Sequence, residues 1–302
     1  MSLSLRQLRY FVATAECGQV SHAAIDLAIS QSAVTSAIKE LERTVGASLF
    51  SRSAQGMELT TAGRQFLSHA YEILAKVDEA THLNLLVGDV EGELSVAATY
   101  TVIGYFLPLH IERIRRIFPR IRIHLHELNR ESIEEGLLAN EYDISVLLTS
   151  NITNPMLTTE TLISSVRRLW VPAQHGLLRL DSVGLRDIAR EPYIMLTVDE
   201  AAHSSLKYWS NTPHQPRVLL RTSSVEAVRS MVANGLGVAI LSDMVHRPWS
   251  LEGRRIETIT VQDPVPPMDV GLAWRANAIF SPAMQAFRSY FQQAFGLPGY
   301  SL

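Results

Sequence analysis

The stretch Val20–Lys39, which reads VSHAAIDLAISQSAVTSAIK, decides the fold of the N-terminal region. It predicts two short helices joined by a tight turn. Ser30 stands at an N-cap position, and apolar residues recur at helical spacing on one side of the helix that follows: Val34, Ile38, Leu41 and Val45. One face therefore packs, and the opposite polar face is free to contact a partner, as in a helix that enters the major groove of DNA.

The polar side chains on the free face are the first candidate DNA contacts: Gln31, Ser32, Thr35, Ser36 and Lys39. We expect Gln31 and Thr35 to contact base edges, because they lie near the start of the helix. The alternative for both is a solvated helix face. Ser21 and Ser32 can donate their hydroxyls to phosphates, or they can serve only as helix caps.

The residues around this stretch predict a winged helix-turn-helix. The expected elements are helices over Leu5–Cys17, Ser21–Ala28 and Gln31–Thr44, with Gly18 and Gly46 as helix ends, and strands over Leu49–Arg52 and Met57–Leu59. Ser21 is expected to cap the second helix. The two strands form a hairpin, the wing, from which Arg52 can reach a phosphate or the minor groove.

A long helix is expected next, capped by Thr60 or Thr61 and running to about Val87. Its seam positions alternate by four and three residues: Phe66, Ala70, Ile73, Val77, Ala80 and Asn84. This heptad spacing predicts a dimerisation helix, because nothing in the surrounding sequence supplies a partner face. The alternative is a helix packed on its own domain. Residues 88–92, GDVEG, predict a hinge.

From Glu93 onward, predicted strands and helices alternate, which indicates an α/β domain with a largely parallel sheet. The expected strands are Leu94–Ala98, Ile121–Glu127, Ile144–Leu148, Ser165–Val171, Tyr193–Thr197, Arg217–Arg221, Gly237–Leu241 and Asp269–Trp274. The expected helices are Leu107–Phe118, Ser132–Ala139, Ala202–Trp209, Val225–Ala233 and Pro282–Phe295.

Composition limits the function classes. A chain of 302 residues suits two or three domains, and its formal net charge of −3 argues weakly against a nucleic-acid binder. With so little positive charge, one DNA-binding domain is expected to bind with modest affinity, and two or more such domains on one DNA would compensate. Cys17 is the only cysteine, which excludes an intrachain disulfide. No apolar run approaches the ~18 residues of a membrane span and no secretory signal is evident, so we expect a cytoplasmic protein without membrane association.

Three N-terminal segments match a known pattern closely: LRQLRYFVATAECGQVSHAA, ISQSAVTSAIKELERTVGASLF and LTTAG. On these motifs the whole chain resembles the LysR-type transcriptional regulators. Two positions depart from the family pattern, since a frequent proline is Ser32 here and a common basic residue on the reading face is Ser36. The departure at Ser36 removes a candidate contact to guanine or phosphate, so Gln31, Thr35 and Lys39 are expected to carry more of the readout.

The C-terminal segments GELSVAATY, LLANEYDISVLL and VRSMVANGLGVAILS are similar to the effector-binding domain of the same family. This resemblance implies two Rossmann-like α/β subdomains, like those of type II periplasmic binding proteins, with a small-molecule cleft between them. The implied division is a DNA-binding domain over 1–60, a linker helix and hinge over 61–90, and an effector domain over 91–302. Within the last, subdomain I covers about 91–162 and 268–302, and subdomain II about 163–267, with crossovers near Leu162–Arg168 and Val261–Met268.

Polar residues at predicted strand ends are the candidate effector contacts. Those in two hydroxyl-rich runs are Thr99, Tyr100, Thr101, Thr222, Ser223 and Ser224, and the next candidates are Asn129, Thr149 and Thr197. The alternative for both runs is simple helix capping. A small carboxylate is among the candidate effectors, whereas a polyphosphate is not expected because no Arg or Lys cluster marks the cleft.

Other motifs support no catalytic, metal or cofactor site. His124 and His126 alternate on one strand and would need ligands from elsewhere, and Gly235-Leu236-Gly237 stands in the reverse of the order that a dinucleotide loop requires. The sequence therefore predicts a ligand-responsive, sequence-specific regulator that binds double-stranded DNA as a homodimer or homotetramer. The alternative is a small-molecule-binding protein or enzyme on the same α/β lobes, with N-terminal helices used only for assembly.

Overall fold

Helices dominate the N-terminal part of the computed structural model, which describes residues 3–27, 29–53, 56–82, 90–200 and 207–296. The chain divides into two units, Met1–Leu85 and Leu86–Leu302. The first unit contains, in order, α1 (Leu5–Cys17), α2 (Val20–Asp26), α3 (Gln31–Val45), β1 (Phe50–Ser53), β2 (Gly56–Leu59) and α4 (Thr61–His82). The antiparallel pair β1–β2 forms the predicted wing, so the winged helix-turn-helix is confirmed.

Helix ends in this unit follow from local capping. The Ser30 side chain accepts a hydrogen bond from the Ala33 amide at 3.2 Å, and α3 ends at Gly46, whose φ is 77°. Gly18 ends α1 with a φ of 63°. The expected cap at Ser21 is wrong, because α2 begins one residue earlier with Gln19 as an N-cap that makes no side-chain hydrogen bond.

A small apolar core holds the three helices together. Its buried members include Leu8, Phe11, Val34, Ile38 and Leu41. Full burial of each such side chain contributes about 1.5–3 kcal/mol. Val45 was expected on this face but is 38% exposed, because it lies in the last turn of α3, beyond the contact with α1.

The first half of α4 packs on its own domain. Ala70 is fully buried in the N-terminal core, Ile73 packs against that core, and the ring of Phe66 lies 5.2 Å from the ring of Phe11. The expectation that nothing supplies a partner face is wrong for these positions, because α1 supplies it. The Ala80 side chain and Asn84 lie outside the described residues.

Two side chains fix the wing to the helices. The Glu42 carboxylate accepts hydrogen bonds from the amides of Leu49 at 2.7 Å and Phe50 at 3.1 Å. The Thr60 hydroxyl donates to the Ser48 carbonyl at 2.7 Å and accepts from the Gly63 amide at 2.9 Å, which confirms Thr60 as the cap of α4. These contacts give a physical reason for Glu42 in the segment ISQSAVTSAIKELERTVGASLF and for Thr60 in the segment LTTAG.

The second unit alternates strands and helices as predicted. Its elements are β3 (Gly92–Ala98), α5 (Tyr100–Tyr105), α6 (Leu107–Ile117), β4 (Ile121–Glu127), α7 (Arg130–Ala139), β5 (Ile144–Leu148), β6 (Leu157–Ser165), β7 (Arg167–Pro172), α8 (Leu185–Ile188), β8 (Pro192–Leu196), β9 (Arg217–Thr222), α9 (Val225–Ala233), β10 (Ala239–Ser242), β11 (Ile256–Ile259), β12 (Met268–Arg275) and α10 (Pro282–Gly296). The expected helix over Ala202–Trp209 falls largely outside the described residues.

The sheets of this unit are mixed rather than largely parallel, so that expectation is wrong. The main sheet has the order β4-β3-β5-β12-β6, in which β3 runs parallel to β4 and β5 while β12 runs antiparallel to β5 and β6. A second, antiparallel sheet has the order β10-β7-β11, and β8 pairs in parallel with β9. The antiparallel strands β6 and β12 arise where the chain leaves the main sheet and later re-enters it.

These sheets define two subdomains. We call the β4-β3-β5-β12-β6 sheet with α5, α6, α7 and α10 subdomain I, and the strands and helices from β7 to β11 subdomain II. The chain passes from I to II at Val166 and returns between Ile259 and Met268. One buried cluster includes Val102 of α5 together with Trp170 of β7, so the two subdomains share an apolar core. No helix in the described ranges is long and apolar enough to cross a membrane.

Candidate DNA interface and effector cleft

The outward face of α3 is polar and largely exposed. Gln31, Ser32, Ser36 and Lys39 are exposed, and Thr35 is half-buried. The opposite face of the helix is anchored in the core by its buried side chains, Val34, Ile38 and Leu41. The five polar side chains are thus presented on a fixed helix, which is the geometry that a major-groove contact requires.

Ser32, Ser21 and Arg52 each have a feature that limits or obscures their presentation to DNA. The Ser32 hydroxyl lies 3.0 Å from the hydroxyl of the capping residue Ser30, and Ser21 is half-buried with its hydroxyl 3.5 Å from the Gln19 side-chain oxygen. Arg52 pairs with Met57 through the wing backbone, and its side chain lies outside what the structure describes.

Thr99 and Thr101 flank the start of α5 at the end of β3. The Thr101 amide donates a hydrogen bond to the Asp199 carboxylate at 2.7 Å, and the Thr101 hydroxyl donates to the same oxygen. Thr99 is 3% exposed, and its hydroxyl has no hydrogen-bond partner among the described residues. Tyr100, between them, points to solvent and is 37% exposed.

Three of the other effector candidates cap local structure. The Asn129 side chain accepts from the Ser132 amide at 2.9 Å at the start of α7, and the Ser224 hydroxyl accepts from the Ala227 amide at 3.1 Å at the start of α9. The Thr222 hydroxyl accepts from the Ser224 amide at 3.1 Å.

The last three candidates, Thr149, Thr197 and Ser223, are spread around the fold. Thr149 is buried with its hydroxyl 2.8 Å from that of Thr161. The Thr197 amide donates to the Thr222 carbonyl at 2.8 Å across the β8–β9 pair. Ser223 is exposed.

A small pocket lies beside Thr99. Its empty volume is about 200 Å³, and it is lined by Thr99, Arg130, Leu147, Leu148, Asn151 and Asp199. Arg130, Asn151 and Asp199 were not expected from the sequence. Asp199 carries no recognisable motif and stands 98 residues from Thr101, and only the packing of the two subdomains brings them together.

A second polar contact holds the other end of α5. The Tyr105 hydroxyl donates to the Glu226 carboxylate at 2.9 Å, and the Arg229 side chain donates to the same carboxylate at 3.0 Å. Burial, and then the neighbouring Glu226, raise the pKa of Tyr105 to about 12, so this hydroxyl is a neutral donor. Burial alone would raise the pKa of Glu226, but the hydrogen bonds from Arg229 and Tyr105 outweigh it and lower that pKa. Carboxylates of subdomain II therefore contact both ends of α5.

Two family models together cover most of the chain. The model described as "Bacterial regulatory helix-turn-helix protein, lysR family" matches residues 5–64, and the model described as "LysR substrate binding domain" matches residues 88–296. The first match contains α3 and the wing, and the second contains both subdomains with the pocket.

Similar proteins agree with these matches. An uncharacterised HTH-type transcriptional regulator of Bacillus subtilis, YwqM, is 30% identical over 97% of this chain and 100% of its own length. The RuBisCO operon transcriptional regulator of Allochromatium vinosum is 30% identical over 96% of both chains. The crystal structure of HinK, a LysR family transcriptional regulator from Pseudomonas aeruginosa, superposes with a TM-score of 0.63 at 27% identity, covering 97% of this chain and 99% of HinK. This chain belongs to the LysR family and is a DNA-binding transcriptional regulator with an effector-binding domain, not an enzyme.

Proposed function

We propose that this regulator reads its operator with the polar face of α3. Gln31 and Thr35 contact base edges. Lys39, which the sequence grouped with them in the readout, is assigned here to a phosphate, together with the hydroxyls of Ser21, Ser32 and Ser36. The exposure of this face over a buried apolar face carries the proposal, because it leaves five polar side chains available on a rigid helix. Arg52 adds a phosphate or minor-groove contact from the wing.

A small-molecule effector binds between the two subdomains, and a small carboxylate is our candidate class. The contacts are drawn from the strand-end candidates, Thr99, Tyr100, Thr101, Asn129, Thr149, Thr197, Thr222, Ser223 and Ser224. Thr99 and Thr101 are the best supported, because both are buried and Thr99 lines the pocket. Ligand binding favours one arrangement of the effector domains and so alters the equilibrium of DNA binding.

The functional unit is a homodimer or homotetramer that acts on DNA in the cytoplasm. The part of α4 up to Leu74 packs against its own core, so we assign association to the positions after Leu74. The domain division is a DNA-binding domain over 1–60, a linker over 61–90 and an effector domain over 91–302.

The test is a fluorescence-anisotropy titration of the full chain with DNA from upstream of its own gene and with a scrambled duplex. In the double variant Gln31→Ala, Thr35→Ala, affinity for the first DNA should fall by about 1–3 kcal/mol per lost base contact. The dependence on salt should stay unchanged, because both side chains are neutral. Lys39→Ala should instead weaken both DNAs alike and lower the salt slope by about one.

The matched control is Gln65→Ala, the same change at an exposed position of α4. It should bind as the wild type does. Equal affinity of the wild type for the two duplexes, together with an unchanged double variant, would refute the assignment of α3 as the reading helix.

A further inference from the structure

The Asp199 carboxylate occupies both hydrogen-bond donors of Thr101. Its Oδ2 atom accepts from the Thr101 amide at 2.7 Å and also from the Thr101 hydroxyl. Thr101 is 3% exposed, so these donors are removed from water and need an acceptor. Asp199 lies in the short segment Val198–Glu200 of subdomain II with a left-handed backbone, φ 49° and ψ 39°, whereas Thr101 belongs to subdomain I.

We propose that Asp199 is a tethered substitute for the acid group of an effector, and that a carboxylate ligand binds in this pocket by displacing it. The inference rests on the proposed function of the cleft as the effector site. It adds the step that binding of a carboxylate ligand requires: the ligand replaces the Asp199 carboxylate as the hydrogen-bond acceptor of Thr101.

The unsatisfied hydroxyl of Thr99 supports a ligand at this place. It is buried beside Asp199, lines the same pocket and has no hydrogen-bond partner among the residues the structure describes. A buried polar atom without a partner is costly, which favours a site that a ligand completes. Asn151 lines the pocket as well and adds an amide beside an incoming acid, and the Arg130 guanidinium that lines it is paired with the carboxylates of Glu131 and Glu134.

The size of the pocket requires displacement. With Asp199 in place, the space that a water molecule can reach is about 10 Å³, which is room for about one water and far too small for an organic acid. Withdrawal of the Asp199 side chain would enlarge the pocket and free the Thr101 donors in the same step.

Displacement also gives a route for regulation. Among the described residues, two carboxylates of subdomain II contact α5: Asp199 accepts from Thr101, and Glu226 accepts from Tyr105. An effector that replaces Asp199 breaks the first contact and leaves the second. The ligand then decides how firmly subdomain II holds α5, because it competes with the chain itself for the same donors.

The experiment uses the full chain with benzoate as the probe and benzamide as its neutral isostere. Asp199→Asn removes the charge, and asparagine tolerates the positive φ of 49° at this position. Asp199→Gly removes the side chain and also accepts that backbone. The matched control is Asp143→Asn, because the Asp143 carboxylate accepts from the Ser95 amide at the same 2.7 Å, and Asp143 does not line the pocket.

By isothermal titration, both Asp199 variants should bind benzoate at least about tenfold more tightly than the wild type, a gain of about 1.4 kcal/mol. The Asp143 variant should match the wild type, and benzamide should show no gain. By hydrogen exchange without ligand, the Thr101 amide should exchange faster in Asp199→Gly than in the wild type, and benzoate should restore its protection.

Equal benzoate affinities in the wild type and both folded Asp199 variants would overturn the proposal. It would also be overturned if neither variant bound benzoate, or if the variants bound benzamide more tightly than the wild type by the same factor. Cooperative unfolding followed by tryptophan fluorescence verifies that each variant is folded. Measurable but equal binding would leave the cleft as an effector site and refute only the displacement, whereas no binding by the wild type or any variant would refute the cleft assignment as well.

Discussion

Acidification should destabilise the effector domain through two buried histidines. His110 is 8% exposed, its Nδ1 atom lies 2.9 Å from the Tyr290 hydroxyl, and its ring packs against Phe106 and Phe291. Burial, and then the charge of Arg113, lower the pKa of His110 from 6.5 to about 3. Burial, and then Arg229 and neighbouring arginines, lower the pKa of His246 to about 4.

The sign follows from which state binds more protons. Below pH 6.5 an unfolded histidine takes up a proton, whereas His110 in the folded domain stays neutral until the pH approaches 3. Stability is therefore complete above pH 6.5 and is lost as the pH falls, at about 1.36 kcal/mol per pH unit per histidine. At pH 5 the loss is about 2 kcal/mol for His110 and about as much again for His246.

The assay is chemical unfolding of the full chain at pH 7, 6 and 5, followed by tryptophan fluorescence. All four tryptophans lie in the second unit, so the signal reports on the effector domain alone. The variant His110→Gln can retain a hydrogen bond to Tyr290 but does not titrate. Its free energy of unfolding should fall by about 2 kcal/mol less than that of the wild type between pH 7 and 5.

Groups other than His110 cancel in this difference between the two proteins. The control is His124→Gln, the same substitution at an exposed position of β4. The reasoning is refuted if wild type and His110→Gln lose the same stability over this range.

Two further predictions concern the wing. Glu42→Ala removes the acceptor of the Leu49 and Phe50 amides and should destabilise the N-terminal domain by about 1–3 kcal/mol, whereas Glu42→Gln keeps an acceptor and should lose less stability. Hydrogen exchange at these two amides measures the loss in each variant. Equal protection in the two variants would contradict the prediction. Gly63→Ala would place a Cβ atom 2.0 Å from the Leu49 carbonyl oxygen and should lower the free energy of unfolding by at least about 1–3 kcal/mol, measured by thermal unfolding. Gly104→Ala is the control, because its Cβ atom meets nothing within 4 Å, and it should be tolerated. A Gly63→Ala protein as stable as the wild type would contradict this account.

The sequence by itself determined the elements and the family. The caps at Ser30 and Thr60, the stop at Gly18 and most strands of the effector domain follow from local patterns, because capping and periodicity involve residues a few positions apart. The polar face of α3 was predictable for the same reason, since the burial of Val34, Ile38 and Leu41 leaves the other side exposed.

Only the tertiary structure decided what lies across from these elements. The packing of Phe66 and Ala70 on α1 assigns the first part of the predicted seam to the domain's own core, because an apolar stripe has the same spacing whichever helix covers it. The antiparallel strands β6 and β12 depend on where the chain re-enters a sheet. The contact of Asp199 with Thr101 joins residues that local patterns cannot relate, because it exists only where two subdomains meet.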